Sequence, residues 1–321
     1  MALNTLTYAQ ILQAELDEAA VRDMTTGWMD ANAGQVKYNG GNEVKIAKMS
    51  TQGLGNYDRD DGYPQGAVTL GWETLTMTQD RGRKFQLDAM DVDETAFVPT
   101  AAAVMGQFQR EHVVPEIDAY RISKIATKAI TANVTGMVNY GQTISGASST
   151  LRKVKEGITA VRSLGYSGAI AIQANDATIM EIELELAGHL RTISWAQGGI
   201  NTQVPAIDGC PLFATPANRM YTAITLYDGT TEGQEASGND PATPDQRVGG
   251  YVKGASAKDI NFIVIPVLTP IGVTKQDKMR IFDPDTYQKA DAWSIDYRRY
   301  HDLWIKDNQV RGIYVSIKDA A

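Results

Sequence analysis

Residues 68–78 read Val-Thr-Leu-Gly-Trp-Glu-Thr-Leu-Thr-Met-Thr and continue through Gln79-Asp80-Arg81-Gly82 into Arg83-Lys84-Phe85-Gln86-Leu87-Asp88. The first run is strand-like, with β-branched and aromatic residues in largely alternating polarity. Gln79 to Gly82 carry turn chemistry, and the run from Arg83 reads as the returning strand. The pattern predicts a long β-hairpin with its tip at Gln79–Gly82. A hairpin of this size is at best marginally stable alone in water, so it must lie on its own globule or on a neighbouring subunit.

A long helix is expected next. Pro99 suits a first helical turn, Asp93 and Glu94 lie just before it, and no strong stop precedes Thr131-Ala132-Asn133. About 30 residues at about 1.5 Å rise make a rod of about 45 Å. Pro115 falls in its middle and is expected to kink it. Arg121, Lys124 and Lys128 crowd the far end, where they read as complements to the helix macrodipole. An arm joined to a rod is an architectural shape.

The chain has 321 residues, enough for one large or two ordinary domains with their own cores. Hydrophobic content of 43% and charged content of 21% are those of a globular protein. No apolar run reaches the length of a membrane span, and the N-terminus lacks the regions of a secretory signal. The single cysteine, Cys210, excludes an intrachain disulfide and a cysteine-based zinc cluster within one chain. A formal charge of −8 argues against a dedicated nucleic-acid binder, which carries a basic face. A container whose inner wall tolerates packed nucleic acid stays open.

Around the arm and rod, the order of elements reads as follows. Residues 7–21 form an amphipathic helix with a capping box at Thr7 and Gln10, which packs on the core or docks on a neighbour. Gly27 to Gly66 reads as an extended segment with one strand-like run at Val44-Lys45-Ile46-Ala47. Leu151, Val154, Ile158, Val161 and Leu164 recur at helical spacing and Gly165 stops that helix. Ala169 to Ile172 is a buried strand, and Asn175 caps a helix carrying Ile179, Ile182 and Leu186 that ends at Gly188. Asp208-Gly209 makes a hairpin turn, and 228–250 is a polar surface loop. Buried or half-buried strands are expected at Phe262–Ile265, Trp293–Tyr297 and Gly312–Ile317. The sum is an α+β chain.

No catalytic constellation emerges. Gly165-Tyr166-Ser167-Gly168 has the wrong spacing for a nucleophile elbow, and Gly53-Leu54-Gly55 lacks the third glycine of a dinucleotide loop. Asp58-Arg59-Asp60-Asp61-Gly62 lacks the terminal glutamate of a calcium loop and reads as a solvated acidic turn. None of His112, His189 and His301 has a second histidine at ligand spacing. His112 reads as a packing or interface residue, His301 as structural, and Asp91, Asp93 and Glu94 as a charged helix approach. Cys210 reads as a small buried side chain. No catalytic residue, cofactor site or metal site is assigned.

Several strings resemble the tailed-bacteriophage major capsid proteins of the Hong Kong phage 97 fold. They are Trp72 to Phe85, Asp88-Ala-Met-Asp-Val-Asp-Glu-Thr95, Val113-Val-Pro-Glu-Ile-Asp-Ala-Tyr-Arg-Ile-Ser123, Ala290 to Trp304 and Gly312-Ile-Tyr314. The resemblance implies an α+β Hong Kong phage 97-like fold. Its segments would be an N-terminal arm at 1–66, an extended β-hairpin loop at 67–92, a peripheral domain with spine helix at 93–164, an axial domain at 165–270 and a return to the peripheral domain at 271–321. Many such relatives carry a long N-terminal scaffolding segment that a protease removes. Only a short helix precedes the arm here, which implies a separate scaffold protein or a processed form. Some relatives crosslink the extended loop through lysine; Lys84 is the only lysine near the expected tip, and no crosslink is expected.

The implied function is a shell subunit, not an enzyme, that self-assembles through hexamers and pentamers into an icosahedral capsid around phage DNA. Scaffold and portal proteins are the expected partners, with non-specific contact to double-stranded DNA and no membrane. Its place would be the virion, and the host cytoplasm during assembly. The expected inter-subunit contacts are Trp72, Arg81, Arg83, Lys84 and Phe85, with the three cations at the hairpin tip meeting acidic surface on a neighbour. The alternative is a nanocompartment of the same fold that holds a cargo enzyme; an unrecognised enzyme is the remote one.

Overall fold

A computed structural model describes residues 24–36, 43–60, 62–88, 101–144, 150–186, 189–197, 200–234, 247–284 and 291–321. The helix expected over 7–21, Pro99 and the acidic approach at Asp91, Asp93 and Glu94 lie outside them. After a 3-10 helix at Gly27–Gln35, β1 (Glu43–Thr51) and β2 (Val68–Thr76) form a two-stranded antiparallel ribbon. β3 (Gln79–Asp88) then leaves the ribbon for the body. A helical run follows: α1 (Ala101–Phe108), a π-helical turn at Gln109–Val113 and α2 (Val114–Ala132). β4 (Val138–Asn139), α3 (Thr150–Ser163), β5 (Ile170–Asn175) and α4 (Asp176–Glu185) come next. β6 (Arg191–Gln197), β7 (Ile200–Ile207) and β8 (Cys210–Thr215) follow them, and β9 (Ile224–Asp228) pairs with β10 (Gly249–Lys253). The chain closes with β11 (Ile260–Pro266), β12 (Ile271–Phe282), β13 (Ala292–Trp304) and β14 (Tyr314–Ile317).

The rod is therefore real, and its interruption falls where proline demands one. Pro115 has no N–H, and its ring collides with the carbonyl four residues back in a regular helix. The π-helical turn Gln109–Val113 widens the backbone just ahead of it. α2 ends at Asn133, which adopts φ +46° and donates its N–H to the carbonyls of Ala129 and Ile130 at 3.2 Å.

A seven-stranded sheet in the order β4-β14-β11-β5-β8-β7-β6 forms the centre. Every residue of β5 and β11 is buried, because both faces of the sheet are covered. Alternation splits β11 between two layers. Phe262 and Val264 pack with Val154, Ile158 and Val161 of α3, while Ile263 and Ile265 pack with Ile122, Ile125, Ala126 and Ala129 of α2. Each fully buried Ile or Val stabilises by about 1.5–3 kcal/mol relative to exposure. Gly157 lets α3 approach closely: a Cβ there would lie 3.0 Å from the Tyr314 ring and 3.1 Å from Val264. Gly157→Ala is expected to cost about 1–2 kcal/mol, overpacking outweighing the helix-propensity gain. Urea unfolding checks it, and a stabilised variant would show that the sheet yields.

β12, β13 and β3 make a separate three-stranded antiparallel sheet against the start of the rod. Met279, Ile295, Tyr297, Phe85 and Leu87 on one face meet Met105, Phe108 and Val113. Among the described residues no helix is long and apolar enough to cross a membrane.

Buried charge ties the rod to both ends of the chain. Arg121 is fully buried and reaches Asp30 at 2.5 Å and the Thr26 carbonyl at 3.0 Å. Gly272 leaves the space this pair occupies, since a Cβ there would collide with the Asp30 carboxylate. Lys124 and Tyr120 both meet the buried carboxylate of Asp302, which also accepts from the Thr78 N–H at 2.9 Å. The expected macrodipole role of Arg121 and Lys124 is thus replaced by tertiary pairing, and no basic residue stands in the last turn of α2.

Candidate assembly interface

The hairpin expected over 68–88, which the resemblance extends to 67–92, is built differently. β2 pairs with β1, from Glu43↔Thr76 to Thr51↔Val68, so the ribbon runs Glu43–Thr76 and its tip lies within 52–67. Gln79–Gly82 is not a turn. It lies in β3 and pairs with Arg298–His301 of β13. Gly82 is needed there for close approach, because a Cβ would lie 2.7 Å from the Tyr297 carbonyl oxygen.

The ribbon has two chemically distinct faces. Near its base, Val44, Ile46 and Leu75 pack with Val36, Met77, Ile271, Val273 and Trp304 of the body. The Trp304 indole donates to the Thr76 carbonyl at 3.0 Å and the Tyr300 hydroxyl to the Met77 carbonyl at 3.1 Å. On the opposite face, Met49, its cross-strand partner Leu70, and Val68 and Trp72 on either side of Leu70 form an apolar stripe. Met49, Val68, Leu70 and Trp72 there are each between 61% and 68% exposed. At about 3.3 Å per residue the paired part is about 30 Å long. Neither outer edge of the ribbon pairs with another described strand. A monomer rarely leaves such a contiguous apolar stripe and two open edges to water.

At the tip, Asp58 and Gly62 exchange backbone hydrogen bonds at 3.0 and 2.9 Å. The Tyr57 and Tyr63 rings meet at 4.9 Å yet stay 60% and 86% exposed. Lys48 lies 3.5 Å from Asp307, whose N–H donates to Glu73 at 3.3 Å.

Of the five expected contact residues, the ribbon carries Trp72 alone. The Arg81 guanidinium instead binds Glu116 through two bonds of 2.7 and 3.0 Å and donates to the Tyr227 carbonyl at 2.8 Å, clamping β3 to the rod and to β9. Phe85 is half-buried edge-on against Phe108 at 5.0 Å. Arg83 sits beside Gly229 and Gly249, and Lys84 lies on the exposed face of the three-stranded sheet. The cationic hairpin tip is therefore corrected to an acidic one bearing Asp58 and Asp60. Composition missed Met49, Val68 and Leu70 because their strand partner was not assigned.

The titratable side chains inside the body serve packing. Burial, and then the cations Arg299, Arg121, Lys124 and Arg81, hold the His301 imidazole well below its ordinary 6.5. The unfolded chain takes up a proton below that pH which the folded chain refuses. The stability involved is therefore fully present above about pH 6.5 and is lost as pH falls. Unfolding free energy is expected to drop by about 1.4 kcal/mol from this site between about pH 7.5 and 5.5. His301→Gln should remove that part of the slope in urea titrations; an unchanged slope would assign it elsewhere. Burial raises the Cys210 thiol, which keeps it protonated and unreactive. Among the described residues no group of three or more His, Cys, Asp or Glu could hold a metal ion.

No protein-family model matches the chain, and no curated protein matches it. Solved structures do. A chain from Mycobacterium phage Che8 superposes with a TM-score of 0.57 at 11% identity, covering 88% of this chain and 86% of its own. The capsid structure of cyanophage P-SCSP1u gives 0.56 at 8% identity over 88% and 84%, and the mature capsid of bacteriophage PhiM1 gives 0.54 at 12% identity over 86% and 82%. At these identities the likeness is one of fold. The chain has the α+β fold of phage capsid subunits.

Proposed function

We propose that this chain is the major capsid protein of a tailed bacteriophage, a shell subunit that self-assembles as hexamers and pentamers into an icosahedral head around double-stranded DNA. The observation that carries the reading is the apolar stripe Met49–Val68–Leu70–Trp72, set on a two-stranded arm that one chain leaves uncovered. A closed shell supplies the missing cover, since each arm can lie on the next subunit. It also sums many modest contacts into a stable particle. Scaffold and portal proteins are the partners in assembly, which takes place in the host cytoplasm and ends in the virion. Residues 93–164 with 271–321 serve as the peripheral part and 165–270 as the axial part.

Negative-stain electron microscopy of the expressed chain, alone and with a candidate scaffold, tests this. Uniform closed shells, flat hexamer sheets or tubes are expected. A monodisperse monomer under every condition would overturn the reading. Shells that co-purify with an enzyme and exclude DNA would replace it with a nanocompartment.

A further inference from the structure

Between the β12-β13-β3 sheet, the start of the rod and the β9-β10 ribbon lies a cleft of about 460 Å³. A recess of that size suits a small molecule. Its walls are aromatic and apolar. Phe108 meets Phe85 at 5.0 Å, His112 at 5.7 Å and Tyr297 at 5.9 Å, and the ribbon adds Tyr227 and Val248 to the lining. The π-helical turn Gln109–Val113 brings His112 and Val113 to the cleft, and such turns are frequent at functional sites.

Most of the charge at the cleft is already paired. Arg81 binds Glu116, Arg298 takes up Asp80, and Arg299 binds Asp277 at 2.9 Å. The Asp228 carboxylate accepts from the Thr230 and Thr231 N–H groups at 2.8 Å and from the Thr231 hydroxyl at 2.6 Å, all within its own turn. Arg83 differs, since among the described residues its guanidinium meets no carboxylate. It sits where two glycines leave room: a Cβ on Gly229 would lie 2.7 Å from its Nη1, and one on Gly249 3.8 Å away. Two buried polar atoms on lining residues are also unmet. Arg299 Nε and His301 Nδ1 have no hydrogen-bond partner among the described residues, and a buried polar atom left so is costly. Arg83 stands opposite Tyr297, and Arg299 lies two residues along β13 on the same face. That step is about 7 Å, the length of one aromatic ring with a substituent at each end.

We infer that this cleft binds a small aromatic carboxylate that carries a hydroxyl at its far end. The Arg83 fork takes the carboxylate, and Phe108, Tyr227 and Tyr297 enclose the ring. The hydroxyl oxygen accepts from Arg299 Nε–H, and its proton is donated to His301 Nδ1. Asp80, Asp228 and Glu116 also line the cleft, so a monoanion is favoured over a phosphate dianion. The bound acid touches sheet, rod and ribbon together and stabilises the chain by mass action. The site lies within one chain and is independent of the shell-subunit reading.

The probe is 4-hydroxyphenylacetate, titrated into the purified full chain by calorimetry with thermal unfolding in parallel. Saturable binding with a Kd of about a millimolar or tighter is expected, together with a Tm that rises with probe concentration. Arg83→Gln removes the fork and Gly249→Leu fills the space beside it; each should weaken binding by about tenfold or more. Arg83 is exposed and a Cβ on Gly249 meets nothing closer than 3.8 Å, so both variants should fold, which their Tm without probe checks. Arg280→Gln, on the opposite face of the same sheet, should bind as wild type does. No saturable binding by wild type, undiminished affinity in Arg83→Gln, or equal affinity for the uncharged 4-hydroxyphenylacetamide would each overturn the inference. So would tighter binding of phenyl phosphate, which would make the cleft a phosphate site. Whether the chain forms shells bears on the shell reading alone, because binding is read on the soluble chain.

Discussion

Leu70→Asp combined with Trp72→Asp is expected to leave the unfolding free energy of the isolated chain within about 0.5 kcal/mol of wild type, while abolishing assembly. Both side chains are more than half exposed and lie on the ribbon face away from the body, so the folded chain loses almost no burial. In an assembled particle they would meet apolar surface, and a central tryptophan is the kind of residue on which interface energy concentrates. Forcing two carboxylates into that contact would cost several kcal/mol for every arm. Denaturant unfolding measured alongside sedimentation velocity separates the two effects. Normal particles from the double variant would remove the stripe from the interface. A large loss of monomer stability would mean that the stripe already covers something within one chain.

Asp118→Ala should have the largest effect on the fold itself, about 3–5 kcal/mol. This carboxylate is fully buried on the rod. It accepts from the Thr25 and Thr26 N–H groups at 3.1 Å, from their hydroxyls at 3.0 and 2.5 Å, and from Arg219 at 3.0 Å. Truncation leaves two backbone donors and a mostly buried guanidinium without their acceptor. It also loosens the segment that seats Trp28 and Met29 in the core and offers the Thr26 carbonyl to Arg121. Asp118→Asn keeps the shape but supplies fewer acceptor lone pairs, so it should recover only part of the loss. A cost under about 1 kcal/mol in urea unfolding would mean that water replaces these bonds.

Much of the fold was legible because its signals are local. Val154, Ile158 and Val161 recur at helical spacing and are buried, and Gly165 after them adopts φ +87°, as a helix stop requires. Asn175 caps α4 by accepting from the Thr178 N–H at 2.8 Å. Asp208 and Gly209 take φ +52° and +77° at the turn between β7 and β8. The unbroken apolar run in β11 is buried throughout. In each case the residues that make the signal also satisfy it, within a few positions of one another.

One signal in the arm was available and went unread. Val68, Leu70 and Trp72 occupy one phase of the strand, and Leu75 and Met77 occupy the other. A switch of phase within one strand marks the point where the ribbon stops facing outward and begins to face its own body.

Residue pattern alone was enough for the rod, the central strands, the caps and the α+β class, since hydrogen bonds inside helices and alternation along strands act over short separations. The partner of β2, the long strand β12, the buried pairs of Asp118, Arg121 and Asp302, and the acidic character of the arm tip came from the folded chain. Their causes are contacts between distant residues: Gly82 mimics a turn until a neighbouring strand is seen to need its missing Cβ, and Asp302 is one carboxylate among many until Lys124 and Tyr120 close on it. Which apolar face finds a core is decided by the whole packing, and that left the stripe of the ribbon facing outward.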